Sequence, residues 1–196
     1  MKWIELIGTP TVGKTTLLNN IDLSIYNIKR SDLIKNYNEK IVDENLLNFQ
    51  YNYEKWLNDK NSFLVKKRTK YLRKRLKILQ YLLNNKNNDI AIFDEFLLQN
   101  ALATSCIVEN KEKFLKFYIR KIPISYIVFV ENSNIKEIEN RLQKRNAPDF
   151  KYKEMRLHIE NITIMKEILD EKNIKYLILD NDEKNLTNFK NYLGKL

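Results

Sequence analysis

Eight residues near the start of the chain, Gly8-Thr9-Pro10-Thr11-Val12-Gly13-Lys14-Thr15, match the pattern GxxxxGK[ST]. No other feature restricts the fold as strongly. The two glycines stand where the backbone must turn sharply and approach an anion without a Cβ in the way. Main-chain N–H groups of such a loop, together with the N-terminus of the helix that follows, point at phosphate oxygens. Lys14 then reaches the β- and γ-phosphates, and the Thr15 hydroxyl holds Mg²⁺. From average residue usage, a chance match arises in about one chain per hundred of this length. Two of the chain's three glycines fill the two required positions. The expected nucleotide-contacting set is Gly8, Thr9, Pro10, Thr11, Val12, Gly13, Lys14, Thr15 and Thr16, with ATP and Mg²⁺ as ligands.

The motif demands a strand before it and a helix after it, and the pattern supplies both. Trp3 to Ile7 is an apolar run leading into the loop, and a helix begins at Thr15 to Asn20. Further strands are expected at Ser24 to Ile28, Ile90 to Phe93, Ile124 to Val130 and Tyr176 to Leu179. Helical patterns cover Glu44 to Leu57, Phe63 to Leu83, Phe96 to Val108, Glu112 to Lys121, Asn134 to Lys144 and Lys153 to Glu171. In the second of these Leu72, Leu76, Leu79 and Leu83 recur at helical spacing. Strands alternating with helices imply parallel pairing with right-handed crossovers. The expected fold class is α/β: a three-layer α/β/α domain with a parallel, about five-stranded sheet. A helical insert at about 35–86 separates strands 2 and 3. No linker or repeat divides the chain, so residues 1–196 read as one domain.

Composition bounds the partners. With 43% hydrophobic and 31% charged residues the chain is neither disordered nor membrane-like, and no apolar run approaches the roughly 20 residues a spanning helix needs. The first residues lack the apolar stretch of a secretory signal, and the lone Cys106 forms no intrachain disulfide, so the cytoplasm is the expected location. A net charge of +10 raises nucleic acid as a partner. The lysines are scattered apart from one run at 66–77, so a solvated basic surface with an anionic ligand accounts for most of the charge. Tight turns with positive φ must fall largely to Asn and Asp, given three glycines. His158 reads as a surface residue of a polar helix, and Cys106 as a small buried apolar one. Oligomeric state stays open, a homodimer among the options.

Three further segments carry chemistry. Ile90-Ala91-Ile92-Phe93 ends on Asp94-Glu95. An acid at the end of a buried strand beside the loop binds Mg²⁺ directly or through water; otherwise Asp94 caps the next helix. Glu95 either activates water, accepts a proton from a substrate hydroxyl, or is a first-turn acid favoured by the helix dipole. In Arg141-Leu142-Gln143-Lys144-Arg145, the two arginines share a helical face just before the helix-breaking Asn146-Ala147-Pro148-Asp149, making 141–152 a lid. Such arginines stabilise the charge of a transferring phosphoryl group, or simply complement a helix C-terminus. The basic run Lys66 to Arg75 is the wet face of an amphipathic helix, or supplies clamps for an anionic acceptor, Arg68 and Arg73 first.

The order of these parts resembles the P-loop kinases of the nucleoside and nucleotide-monophosphate kinase type, members of the P-loop NTPase superfamily. The resemblance covers nearly the whole chain in layout, with the glycine loop as its specific element. It implies a parallel five-stranded sheet, ATP as donor and a helical acceptor-binding region. Lys14, Asp94, Glu95, Arg141 and Arg145 fall at the catalytic positions, Thr15 and Asp94 at the metal. The acceptor is expected near Arg30, Asp32, Arg68, Arg73 and Gln99. Two departures stand out. Asp94-Glu95-Phe96 replaces the usual Glu-Arg-Ser-like run, and the acid after the second strand has Asp32 as its best stand-in. The expected activity is a kinase acting on a small-molecule acceptor. A P-loop ATPase or nucleotide-dependent switch acting with a partner is the alternative, and a polynucleotide 5′-kinase a third reading. GTPases fit worse, since no Asn-Lys-x-Asp follows a strand.

Overall fold

A computed structural model describes residues 1–30, 40–57, 63–85, 89–132, 134–144, 152–180 and 183–196. Five strands form one parallel sheet in the order β2-β3-β1-β4-β5: β1 Lys2–Ile7, β2 Ile28–Arg30, β3 Ile90–Phe93, β4 Tyr126–Glu131 and β5 Tyr176–Asp180. The helices are α1 Lys14–Asn19, α2 Glu44–Trp56, α3 Phe63–Asn84, α4 Leu97–Ser105, α5 Lys111–Lys121, α6 Ile135–Lys144, α7 Tyr152–Glu171 and α8 Glu183–Leu193. This is the three-layer α/β/α architecture, with α2 and α3 inserted between β2 and β3. Strand β1 is central, pairing Ile4 with Ile92 of β3 and Leu6 with Val128 of β4. The glycine loop therefore leaves the middle of the sheet at its C-terminal edge. In open parallel sheets, ligands bind at that edge, beside the strand where the order reverses.

Alternation along β1 builds two cores. Ile4 and Leu6 face α1 and α8, packing with Leu17, Leu18, Val128, Leu179 and Phe189. Trp3 and Ile7 face the opposite layer, with Leu76 and Leu79 of α3, Leu98 and Leu102 of α4, Tyr118 of α5 and Met165 of α7. Leu72, Leu76 and Leu79 are completely buried, each stabilising by about 1.5–3 kcal/mol relative to exposure. Among the described residues no helix is long and apolar enough to cross a membrane.

Most element boundaries fall within a few residues of the sequence expectation. The second strand is the exception. Leu23–Tyr26 is a 3-10 turn rather than a strand, because the Asp22 carboxylate accepts from the Ser24 N–H and caps it. Asn27, at φ 53°, then reverses the chain into β2. Asn27 and Asn173 take positive φ as expected of asparagine, but Thr11 joins them at φ 65° within the loop. Helix α8 adds to the expected set, anchored by Phe189 and Leu193 in the α1-side core.

Candidate functional site

The loop 8–15 is shaped by close approach. A Cβ on Gly8 would lie 2.3 Å from the Val130 carbonyl oxygen and 2.9 Å from Val12 Cγ1, so only glycine lets β1 run this close to β4. Gly13 takes φ 105°, a conformation nearly closed to residues with a Cβ, and starts α1. Lys14 is buried, and its Nζ donates to the carbonyl oxygens of Gly8 at 2.8 Å and Thr9 at 3.2 Å. The ammonium thus lies across the loop's own mouth, where a polyphosphate would meet it. Burial lowers the Lys14 pKa to about 8, opposed by the charges of Glu95 and Asp94, so the group stays mostly protonated at neutral pH.

The Thr15 hydroxyl donates to Asp94 Oδ2 at 3.1 Å. Asp94 directly follows β3, and β3 pairs with β1, so the parallel register brings this carboxylate beside the first residues of α1. A hydroxyl and a carboxylate at one point are the hard oxygen donors that Mg²⁺ takes, with phosphate oxygens and water completing its octahedron. Among the described residues no cluster of three His, Cys, Asp or Glu side chains forms a metal cage. Two protein oxygens suit a cation that arrives with its nucleotide.

On the other side, α6 is latched to the loop. Thr11 Oγ1 donates to the Ile138 carbonyl at 3.3 Å, and Arg141 Nη1 donates to the Thr11 carbonyl at 3.4 Å. Arg141 also pairs with Glu137 one turn back. The structure therefore brings Arg141 to the loop; Arg145 and Asp32 lie outside the described residues. Beyond Thr9 a cavity of about 550 Å³ opens between the ends of β4 and β5 and the helices α6 and α7, walled by Ile138 and Ile159, with Asn132 and Asp180 also lining it.

Three residues expected near the acceptor make contacts within the protein. The Gln99 carboxamide oxygen accepts from the Gly8 N–H at 3.1 Å, so Gln99 braces the loop from below. Arg73 pairs with Glu54 at 2.8 Å on the outer face of α3. Arg30 donates to Asn19 Oδ1 at 2.8 Å; it shares the strand face of Ile28, which packs in the α1-side core, so it turns away from the helical insert. Arg68 is half-buried, and its charge acts on the Tyr53 hydroxyl and the His158 ring.

Arg75 is far more buried than Arg73. Its side chain is 15% exposed, with Nη1 donating to Asn100 Oδ1 at 3.3 Å and Nη2 3.8 Å from Glu95 Oε2. Below it Tyr53 and Thr104 share a 2.7 Å hydroxyl hydrogen bond. His158 is not a surface residue: it is 5% exposed. Burial and the positive charges of Arg68 and Lys14 lower its pKa to about 4, so the imidazole is neutral at physiological pH. Cys106 is half-buried rather than fully buried, donating to the Leu102 carbonyl and accepting from Asn161 Nδ2. Glu5, which the sequence reading passed over, is 2% exposed on β1. Its Oε1 accepts from the Gln99 N–H at 2.8 Å. Burial raises its pKa to about 7, against hydrogen bonds from the main chain of residues 96, 98 and 99 that lower it. Glu5, Gln99 and Gly8 thus link the start of α4 to the glycine loop.

No protein-family model matches the chain, and no curated protein matches it in sequence. Solved structures do. One of deoxyadenosine kinase from M. mycoides, with products dCMP and a flexible dCDP bound, is 18% identical with TM-score 0.59, the match covering 99% of this chain and 100% of that one. Another of the same kinase, with bound dATP, is 17% identical with TM-score 0.61, covering 98% of this chain and 99% of that one. The likeness runs end to end and bears out the three-layer α/β/α fold.

Proposed function

We propose that the chain is an ATP-dependent phosphotransferase that moves the γ-phosphoryl group of Mg·ATP to a small-molecule acceptor of the nucleoside or nucleotide type. The contact between the Thr15 hydroxyl and Asp94 carries this reading, because it sets the two magnesium-directed oxygens of a P-loop kinase side by side. The glycine loop takes the β- and γ-phosphates, and Lys14 swings from its two carbonyl partners onto the phosphate oxygens. Arg141, already at the loop, neutralises charge on the transferring group. Sugar and base of the donor extend past Thr9 toward the 550 Å³ cavity, a size typical of ligand pockets. Thr15 and Asp94 would hold a magnesium ion brought in by the nucleotide, which would supply charge neutralisation at the phosphates. The acceptor enters from the opposite side, between the loop and α3, α4 and α7.

Support comes from the full-length likeness to a nucleoside kinase, one structure of which holds dATP. The test is ATP consumption across a panel of nucleosides, nucleotides, sugars and nucleic-acid ends. Acceptor-dependent ADP formation, lost in Lys14→Ala, is the expected result. Phosphate release that proceeds equally without any acceptor would instead make the chain an ATPase.

A further inference from the structure

Helix α3 concentrates the charge of the chain. Its 22 residues carry eight Lys and Arg and no Asp or Glu. The rest of the protein has 27 basic against 25 acidic residues, so without α3 the net charge falls from +10 to +2. A basic bias spread over every exposed position would not give this pattern.

The arginines and lysines of α3 differ in their surroundings. Arg73 pairs with Glu54, and Arg75 lies 3.8 Å from Glu95. Among the described residues no carboxylate pairs with Lys67, Lys70, Lys74 or Lys77. These four recur at spacings of three, four and three, which sets them in one row on the side opposite the buried Leu72, Leu76 and Leu79. Neighbours in such a row lie about 5–6 Å apart, and the row runs for about 15 Å. Lys67, Lys70 and Lys74 are exposed and Lys77 is half-buried. Phe63 heads the row at 77% exposure, and Tyr71, 41% exposed, sits one turn from both Lys67 and Lys74. Like charges at this spacing destabilise a helix, and a bound polyanion would relieve them.

We propose that this face of α3 binds the sugar–phosphate backbone of a single-stranded nucleic acid, with Phe63 and Tyr71 stacking on its bases. That binding stands whether or not the chain is a kinase. A small anion would meet one or two of the lysines, whereas a strand with a charge at every nucleotide meets the whole row. Cations tracking a backbone beside exposed aromatics suit unpaired bases. Entry into a duplex groove needs a helix that stands clear of its neighbours, and α3 packs on both α2 and α4. A lipid surface fits less well. An interfacial helix sinks a continuous apolar face into the lipid, and that face of α3 is already buried in the core.

The experiment follows fluorescence anisotropy of a labelled single-stranded oligonucleotide of about 16 nucleotides, titrated with the full chain. Micromolar binding is expected at about 50 mM salt, with log K falling against log salt at a slope near −3, as about four phosphate contacts on a single strand require. Replacing Lys67, Lys70, Lys74 and Lys77 together by Gln should weaken binding at least tenfold and flatten that slope. Tyr71→Ala should weaken it about fivefold or more with the slope unchanged. Replacing the exposed Lys113, Lys121, Lys172 and Lys175 by Gln removes the same net charge and should change binding by less than about twofold. Equal losses in the two quadruple variants would reduce the effect to net charge and overturn the proposal. So would an oligonucleotide that stays unbound, whether or not vesicles containing phosphatidylserine are bound through the row.

Discussion

Thr15 and Asp94 stand 79 residues apart in sequence, yet the Thr15 hydroxyl donates to the Asp94 carboxylate at 3.1 Å. Parallel pairing of β1 with β3 allows this contact, since Asp94 directly follows β3 and the glycine loop brings Thr15, at the start of α1, back beside it. If the two oxygens share one Mg²⁺, removing either should weaken metal use more than nucleotide use. Thr15→Ala and Asp94→Asn should each reduce turnover on the order of 10²-fold. The midpoint of a magnesium titration should rise in both, while the melting temperature stays near wild type.

Glycine at position 8 is a steric requirement. Gly8→Ala would place a methyl group 2.3 Å from the Val130 carbonyl, which is backbone and cannot swing away. The strands must separate, at a cost of roughly 1–3 kcal/mol or more. Urea unfolding should register that loss, and the loop should bind nucleotide poorly even where the protein remains folded.

Arg141 and Arg73 make a contrasting pair. Arg141 reaches the Thr11 carbonyl inside the loop, whereas Arg73 pairs with Glu54 on the outer face of α3. Arg141→Ala should lower kcat by at least tenfold, the loss of a charge felt mainly in the transition state. Arg73→Ala should leave kcat and both KM values within about twofold, and stability within about 0.5 kcal/mol, because exposed ion pairs contribute little.

Glu5 gives a pH signature. Its pKa rises from 4.5 to about 7 on burial, so between those values the folded state holds a proton that the unfolded state has released. Stability from this group is therefore fully present below about pH 4.5 and is lost as pH rises through 7. Glu5→Gln keeps the shape and removes the titration. Between pH 5 and pH 8, wild type should lose up to about 3 kcal/mol relative to Glu5→Gln, measured by denaturant unfolding at each pH. His158 has the opposite sign: its pKa is lowered, so its contribution falls as pH drops from 6.5 toward 4. It is common to both proteins and cancels in the difference.

The glycine loop, the sheet and the Asp94 position are legible in the sequence because each rests on local pattern. A motif with fixed glycine spacing and apolar runs ending at polar residues need no tertiary information. What the sequence reading missed lay in helix faces. Arg68 and Arg73 are five residues apart, about 140° around a helix, and cannot serve one pocket. Arg68, Leu72, Arg75 and Leu79 fall on one stripe, and that spacing points to Arg75. His158 is likewise readable from Met155, Ile162, Met165 and Leu169, the buried stripe it shares. Gln99 was not recoverable this way. Its carboxamide reaches Gly8 across 91 residues, a pairing that only the packing of α4 under β1 decides.

Binding of Mg·ATP by calorimetry, in wild type and in Lys14→Ala, tests the phosphate-binding loop most directly. Wild type should bind one equivalent with a Kd in the micromolar range. Lys14→Ala, folded to the same melting temperature within a few degrees, should bind at least tenfold more weakly, a loss of about 1.4 kcal/mol or more. A folded wild-type protein giving no heat with ATP, GTP, ADP or GDP in the presence of magnesium would contradict a nucleotide site at Gly8–Thr15.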